Sequence, residues 1–373
     1  MAERDINYNP IYNTVDRDDF DSMITIDRYA DRTDAFDKII SATDQHFWDP
    51  QDPRYVDFKA DTFNANEEFI LPATFCTELN SAVADKLDEG QKLRLANQNT
   101  RFILSSILHG EQGALSLSAS LCQILRDPGA QEYAANQTRE EARHVTGFSK
   151  YISTRWGTPL EAGPTLRNLL SEIVISPLVY KKIIGMQMLV EGLAMGAFAT
   201  IQKESNDPLL RRLVLFTMTD EAAHHKFGKI WADLTIPKLD EEEHEFVENW
   251  TAECFQVLLF NLINAEQKKS IYDEFGLDWE WVRGAVLESF TDDVRRKNMM
   301  ASTNIFRVLI KTLLKAGIIT DRTAPIYSAW VDLDELHRED DEVVRPDVTE
   351  AGIRILQDIN KDRTKMGARY RVN

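Results

Sequence analysis

The chain has 373 residues, enough for one large domain or one domain with extensions, and carries 61 acidic against 43 basic side chains for a net charge of −18. That balance argues against nucleic acid and against anionic membranes as partners. Cys76, Cys122 and Cys254 are too few and too scattered for a disulfide framework, and no Cys-x-x-Cys motif offers a rubredoxin-type centre.

Residues 1–80 are rich in Asp, Asn, Tyr and Phe, with Pro at 10, 50, 53 and 72. They read as an N-terminal extension of loops and short helices wrapping a core. The opening Met1-Ala2-Glu3-Arg4-Asp5 is polar rather than signal-like, so a cytoplasmic protein is expected. From Leu87 to about Arg126 the apolar residues recur at helical spacing, and Asp127-Pro128 begins a return helix to about Ser153. A loop over 156–164 and a crossover helix interrupted at Pro177 follow. The next helix carries Glu191 to about Lys203, and its partner runs from Pro208 to about Leu234. The apolar run near 183–201 contains Gln187 and Glu191 and is no membrane span. The acidic run Asp240-Glu241-Glu242-Glu243 suits a helix N-terminus, opening a stretch to about Ile271, and another helix spans about 278–316. Residues 317–373 form a C-terminal tail. Its Lys361, Arg363, Lys365, Arg369 and Arg371 read as a solvated end, or as a docking site for an anionic substrate or partner. The expectation is an all-α protein with its helical core at 81–316.

One pattern occurs twice at a fixed offset. Glu111, the turn Asp127-Pro128, Glu141 and His144 are each followed 80 residues later by Glu191, Asp207-Pro208, Glu221 and His224. Glu111 lies 17 residues before Pro128 and Glu141 lies 13 after it, so the chain goes up and returns by a similar length. Both carboxylates then stand at one height on antiparallel helices. Residues three apart share a helix face, so each Glu-x-x-His pair points one way. Two packed hairpins would gather four carboxylates and two imidazoles at one level. As a bare charge cluster that would be intolerable, and two divalent cations balance it. Mixed carboxylate and imidazole ligation suits iron or manganese. One Glu from each of two helices and Glu-x-x-His from each of the others is a known di-iron or di-manganese pattern.

The stretches Thr138-Arg139-Glu140-Glu141-Ala142-Arg143-His144 and Thr219-Asp220-Glu221-Ala222-Ala223-His224 resemble the signatures of the ferritin-like superfamily. The branch is that of ribonucleotide reductase small subunits, acyl-carrier-protein desaturases, multicomponent monooxygenases and aryl-CoA epoxidases. The resemblance covers about residues 88–235. It implies a ferritin-like four-helix bundle elaborated with extra helices, holding two Fe ions (or Mn/Fe) on Glu111, Glu141, His144, Glu191, Glu221 and His224. It also implies that Asp220 and Glu140 hydrogen-bond ligand histidines, fixing their tautomers.

Departures from the family narrow the reaction. The radical Tyr usual in reductase subunits four residues after the first ligand His is Phe148 here. The Thr usual in multicomponent monooxygenases four residues after the third ligand Glu is Met195, and the extra His of arylamine N-oxygenases is Thr217. Small residues flank the ligands, including Gly110, Gly192 and Gly196. They leave room for a substrate or a π-bulge, or else mark close helix packing. Gly113, Ala114, Leu115, Phe148, Ala194, Met195 and Phe198 are the candidate pocket. His109 and His225 read as non-ligands. The expected activity is an O2-dependent di-iron monooxygenase of a small organic substrate, fed by a separate reductase or ferredoxin, with a homodimer left open. The alternatives are a ribonucleotide-reductase-like radical or oxidase subunit and an iron-storage protein.

Overall fold

The computed structural model of the protein describes residues 10–60, 62–289, 305–338 and 346–367. Among these residues the secondary structure is helical, and the one extended pairing is an isolated antiparallel bridge between Thr14 and Leu125. The predicted helix over 278–316 is described only at its ends, because residues 290–304 lie outside the described set, as do the polar opening residues and Arg369 and Arg371.

Four helices dominate. Helix α1 (Glu89–Ile124) starts with a capping box: the Asp88 side chain accepts from the Gln91 backbone N–H at 2.7 Å, and Gln91 Oε1 accepts from the Asp88 N–H at 2.9 Å. Helix α2 (Pro128–Trp156) and helix α4 (Pro208–Thr235) both begin at Asp-Pro. In each the Asp carboxylate caps two backbone N–H groups, and Pro occupies a first-turn position whose missing N–H costs nothing. Helix α3 (Val179–Glu204) precedes α4, after the crossover helix Pro164–Ile175 and the break at Ser176-Pro177. Its stretch Ile183–Val190 is a π-helix that runs directly into Glu191. It is the described helix long and apolar enough to cross a membrane, but 72% of its apolar window is buried in the protein, as in a core helix.

Hairpins α1–α2 and α3–α4 pack together, with α2 against α4. Two apolar clusters divide the bundle at one level. On α1, Leu104 and Leu108 belong to one cluster, and Ala114, Leu117 and Leu121 to the other; Glu111 lies between them. On α3, Leu189 belongs to one and Phe198 to the other, with Glu191 between. Helices α2 and α4 show the same switch, from Tyr133 to Phe148 and from Met218 to Phe227. Burying each side chain of this size stabilises the fold by about 1.5–3 kcal/mol, and the two clusters clamp the polar layer from above and below.

The ends of the chain dock on this bundle. Trp48 is 1% exposed, and Asn97 of α1 binds the N-terminal segment through the Ile70 N–H and the Ala65 and Glu68 carbonyls. In the tail, helix α5 (Pro346–Gly367) packs on α4, burying Val348 and Leu356, and Tyr55 donates to Asn360 Oδ1 at 2.5 Å, while Lys361 at its basic end is exposed.

Candidate metal centre

Glu111, Glu141, His144, Glu191, Glu221 and His224 converge between the two clusters, and all are at most 5% exposed. Ligand-type atoms of Glu111, Glu141, His144 and Glu221 lie within 4.8 Å of one another, and so do those of Glu141, Glu191 and His224. Glu141 is common to both groups, as a bridging carboxylate would be.

The contacts inside the cluster are poor hydrogen bonds and good convergent lone pairs. His144 Nδ1 has Glu111 Oε2, Glu141 Oε2 and Glu221 Oε1 all at 3.2 Å. One N–H cannot serve three acceptors, and ionised carboxylates donate nothing. His224 Nδ1 is 3.1 Å from Glu141 Oε1 and 3.3 Å from Glu221 Oε2, yet makes no hydrogen bond. Glu191 Oε2 and Glu221 Oε2 are also buried without a hydrogen-bond partner. Buried polar atoms are rarely left so, and a cation at their common focus satisfies them together. The residues present could therefore hold metal ions through oxygen and imidazole donors.

The electrostatics point the same way. Burial, reinforced by the neighbouring Glu221 and Glu141, holds the Glu111 carboxyl well above the usual range, and burial does the same to Glu191. Burial also disfavours charge on Glu141 and on both imidazoles. There it is outweighed: His224 and His144 hold Glu141 well below the carboxylate range, while Glu111 raises His144 and Glu141 raises His224. Protons balance the cluster among its own side chains. Divalent cations would displace them.

The outer contacts cross between hairpins. His144 Nε2 faces Asp220 Oδ2 at 2.8 Å, and His224 Nε2 faces Glu140 Oε2 at 2.9 Å. Each histidine is thus held by the acidic residue of the opposite repeat, which leaves both Nδ1 atoms turned inward. Arg143 ties the two acids together, donating to Asp220 at 2.5 and 3.0 Å and to Glu140 at 3.3 Å.

Two further residues touch the centre without any motif announcing them. Trp48 Nε1 donates to Asp220 Oδ2 at 2.7 Å, and its ring stacks on His144 at a centroid distance of 5.9 Å. Gln137 donates to Glu141 Oε1 at 3.1 Å and Glu191 Oε1 at 2.9 Å, fixing carboxylates from two helices. Gln137 had a signal: it lies four residues before Glu141 on the same face of α2, polar among Tyr133, Ala134 and Glu141. Trp48 had none, being 172 residues from the carboxylate it binds.

His109 and His225 are turned elsewhere. His109 Nε2 meets the Leu160 carbonyl at 2.8 Å, and His225 Nδ1 meets the Gln187 carbonyl of the π-helix at 3.0 Å.

A cavity of about 260 Å³ reaches the centre, lined at its inner end by Glu111, Glu191 and Glu221. Of the candidate pocket residues, Ala114 and Ala194 line it. The others do not. Gly113 faces Leu170, whose Cδ2 would be 3.0 Å from an added Cβ, so this glycine serves helix packing. Phe148 and Phe198 stack on each other at 5.7 Å, fully buried in an apolar cluster beside the polar layer. Leu115 is half-buried and Met195 buried, both away from the cavity. The open space lies instead over the α1 turns before Glu111, at Ile107 and Gly110, because Leu170 of the crossover helix fills the groove after it.

No protein-family model, curated protein or solved structure matches the chain.

Proposed function

We propose that the protein is an oxygen-activating oxidoreductase of the ferritin-like type, holding two iron ions in the bundle and oxidising a small organic molecule in the adjoining cavity. The supporting observation is the cavity's inner end, where Glu111, Glu191 and Glu221 are reached from an apolar channel. An iron-storage protein has no use for such a channel. Glu111, Glu141, His144 and Glu221 would hold one ion, and Glu141, Glu191 and His224 the other. When bound, a metal pair of this kind supplies the redox chemistry that activates O2. The protein's own part is to orient. Asp220 and Glu140 hold the imidazoles, Gln137 holds Glu141 and Glu191, and the apolar walls exclude bulk water.

One observation favours the radical or oxidase reading. Trp48 is an oxidisable ring linked by hydrogen bonds through Asp220 to His144, a route for single electrons into the centre. The test is oxygen uptake by ferrous-loaded protein with excess reductant. Turnover stimulated by an added organic substrate supports the oxygenase. A stable organic radical by electron paramagnetic resonance after one turnover favours the radical reading. Stoichiometric uptake followed by ferric mineral supports storage and ends both.

A further inference from the structure

Resting on the oxygenase reading above, we infer that the cavity selects an elongated, uncharged amphiphile, which enters apolar end first and keeps a hydrogen-bonding head at the far end from the metals.

The cavity follows one face of α1. Asn99, Phe102, Ile103, Ser106, Ile107 and Gly110 recur at three- and four-residue spacing and all line it, ending at Glu111. From Asn99 to Glu111 is 12 residues, or roughly 18 Å of helix axis. Such a face is elongated rather than round. Apart from Ser106, its middle is walled by aliphatic and aromatic side chains, with Gly110 giving open space where a Cβ would meet nothing within 4 Å. Phe75 and Ile103, 40% and 37% exposed, put its opening away from the ligands.

The outer end is polar and built. Lys268 Nζ donates to Glu78 Oε1 and, at 2.9 Å, to Asn99 Oδ1. Tyr272 donates to the same Glu78 oxygen at 2.6 Å. Glu78 is 1% exposed, and although burial opposes its charge, the Lys268 ammonium and these hydrogen bonds hold its pKa down to about 2. The ion pair is therefore complete and already neutral. An anionic head would add a second negative charge beside a buried carboxylate, which is costly at low dielectric. A donor remains for a neutral acceptor. Asn264, four residues before Lys268, lines the cavity, and its carboxamide oxygen caps the Glu266 N–H while its NH2 makes no hydrogen bond among the described residues. With the head bound there, the segment presented to the metals is the end of the apolar body remote from the head.

The test is calorimetric titration of the folded protein with octanamide and with octanoate, in the absence and presence of manganese(II), so that binding is read without turnover. Octanamide is expected to bind, octanoate at least tenfold more weakly. Gly110→Leu should abolish binding. Asn264→Ser, which keeps a capping oxygen but removes the NH2, should weaken it by about tenfold. Circular dichroism melts confirm that each variant is folded. Octanoate binding as tightly as octanamide, or octanamide binding unchanged in Asn264→Ser, overturns the inference. So does absence of octanamide binding to protein that takes up manganese normally, and in that case the metal reading survives.

Discussion

The two hairpins carry the same Glu and Glu-x-x-His residues at the same spacing, yet they surround them differently. Before Glu111, helix α1 is regular and its face at Ile107 and Gly110 is left uncovered, forming the cavity. Before Glu191, the equivalent stretch is the π-helix Ile183–Val190, buried except at half-buried Val190, which with Met186 walls the same cavity from the α3 side. The difference continues four residues after each histidine. Phe148 fills the bundle on one side. Its counterpart 80 residues on is Gly228, where an added Cβ would lie 2.8 Å from Gln187 Cβ. The glycine lets the widened π-helix come close, and the wide turns seat Glu191 against Gln137. The outer contacts are uneven as well: Arg143 of the first repeat anchors both outer acids, whereas the second repeat has Ala223 there. Duplicated spacing thus coexists with unequal flanks: both helices wall the cavity, but the α1 face leaves open space at Gly110, whereas the side of the π-helix that meets α4 is closed at Gly228.

The sharpest break of this comparison is at the ligands. Glu141 belongs to both groups, so Glu141→Ala should lose most bound metal, whereas Glu191→Ala should keep roughly half, because the first group stays intact. Elemental analysis of purified variants distinguishes them; equal loss from both would remove the asymmetry. Next in size is Arg143→Met, which strands Asp220 and Glu140 as buried anions. It should destabilise the fold by about 3–5 kcal/mol, read from denaturant midpoints, with Ala223→Gly as a control on the equivalent position of the other repeat.

Acid probes the open flank. Glu78 at its outer end has a folded pKa depressed to about 2 against an ordinary value of 4.5. Its contribution is therefore present above pH 4.5 and is lost as the pH falls toward 2, in total on the order of 3 kcal/mol. Urea midpoints followed down in pH should fall less steeply in Glu78→Gln than in the parent. Identical slopes would show that this ion pair is not linked to folding. The smallest effect is expected on the closed flank: Gly228→Ala should cost about 1–3 kcal/mol through the contact with Gln187. A neutral melting temperature would show that the π-helix does not depend on that close approach.

The convergence of the six side chains was legible because spacing alone encodes it. A three-residue step fixes a shared helix face, and two Asp-Pro turns fix the return height, so the six side chains could be placed without a tertiary structure. The four bundle helices were legible for the same reason, to within a few residues at their ends, whereas the stretch expected from Asp240 to about Ile271 ends as an α-helix at Ile263. What could not be read depends on neighbours distant in sequence. Trp48 reaches Asp220 from the N-terminal segment, and Leu170 decides that Gly113 is packing and Gly110 is cavity. Phe148 and Phe198 flank the ligands in sequence as plausibly as Ala194 does, but the bundle turns their rings toward each other. Small residues show that space can exist, and only the packing partner shows whether it is filled.

The most direct test of the two-metal centre is Mössbauer and X-ray absorption spectroscopy on protein grown in iron-57 and purified without added metal. The account predicts roughly two high-spin iron ions per chain, with oxygen and nitrogen ligands and a metal–metal vector of about 3–4 Å. A folded protein carrying a single isolated ion, or sulfur ligation, or no metal after ferrous loading would contradict it.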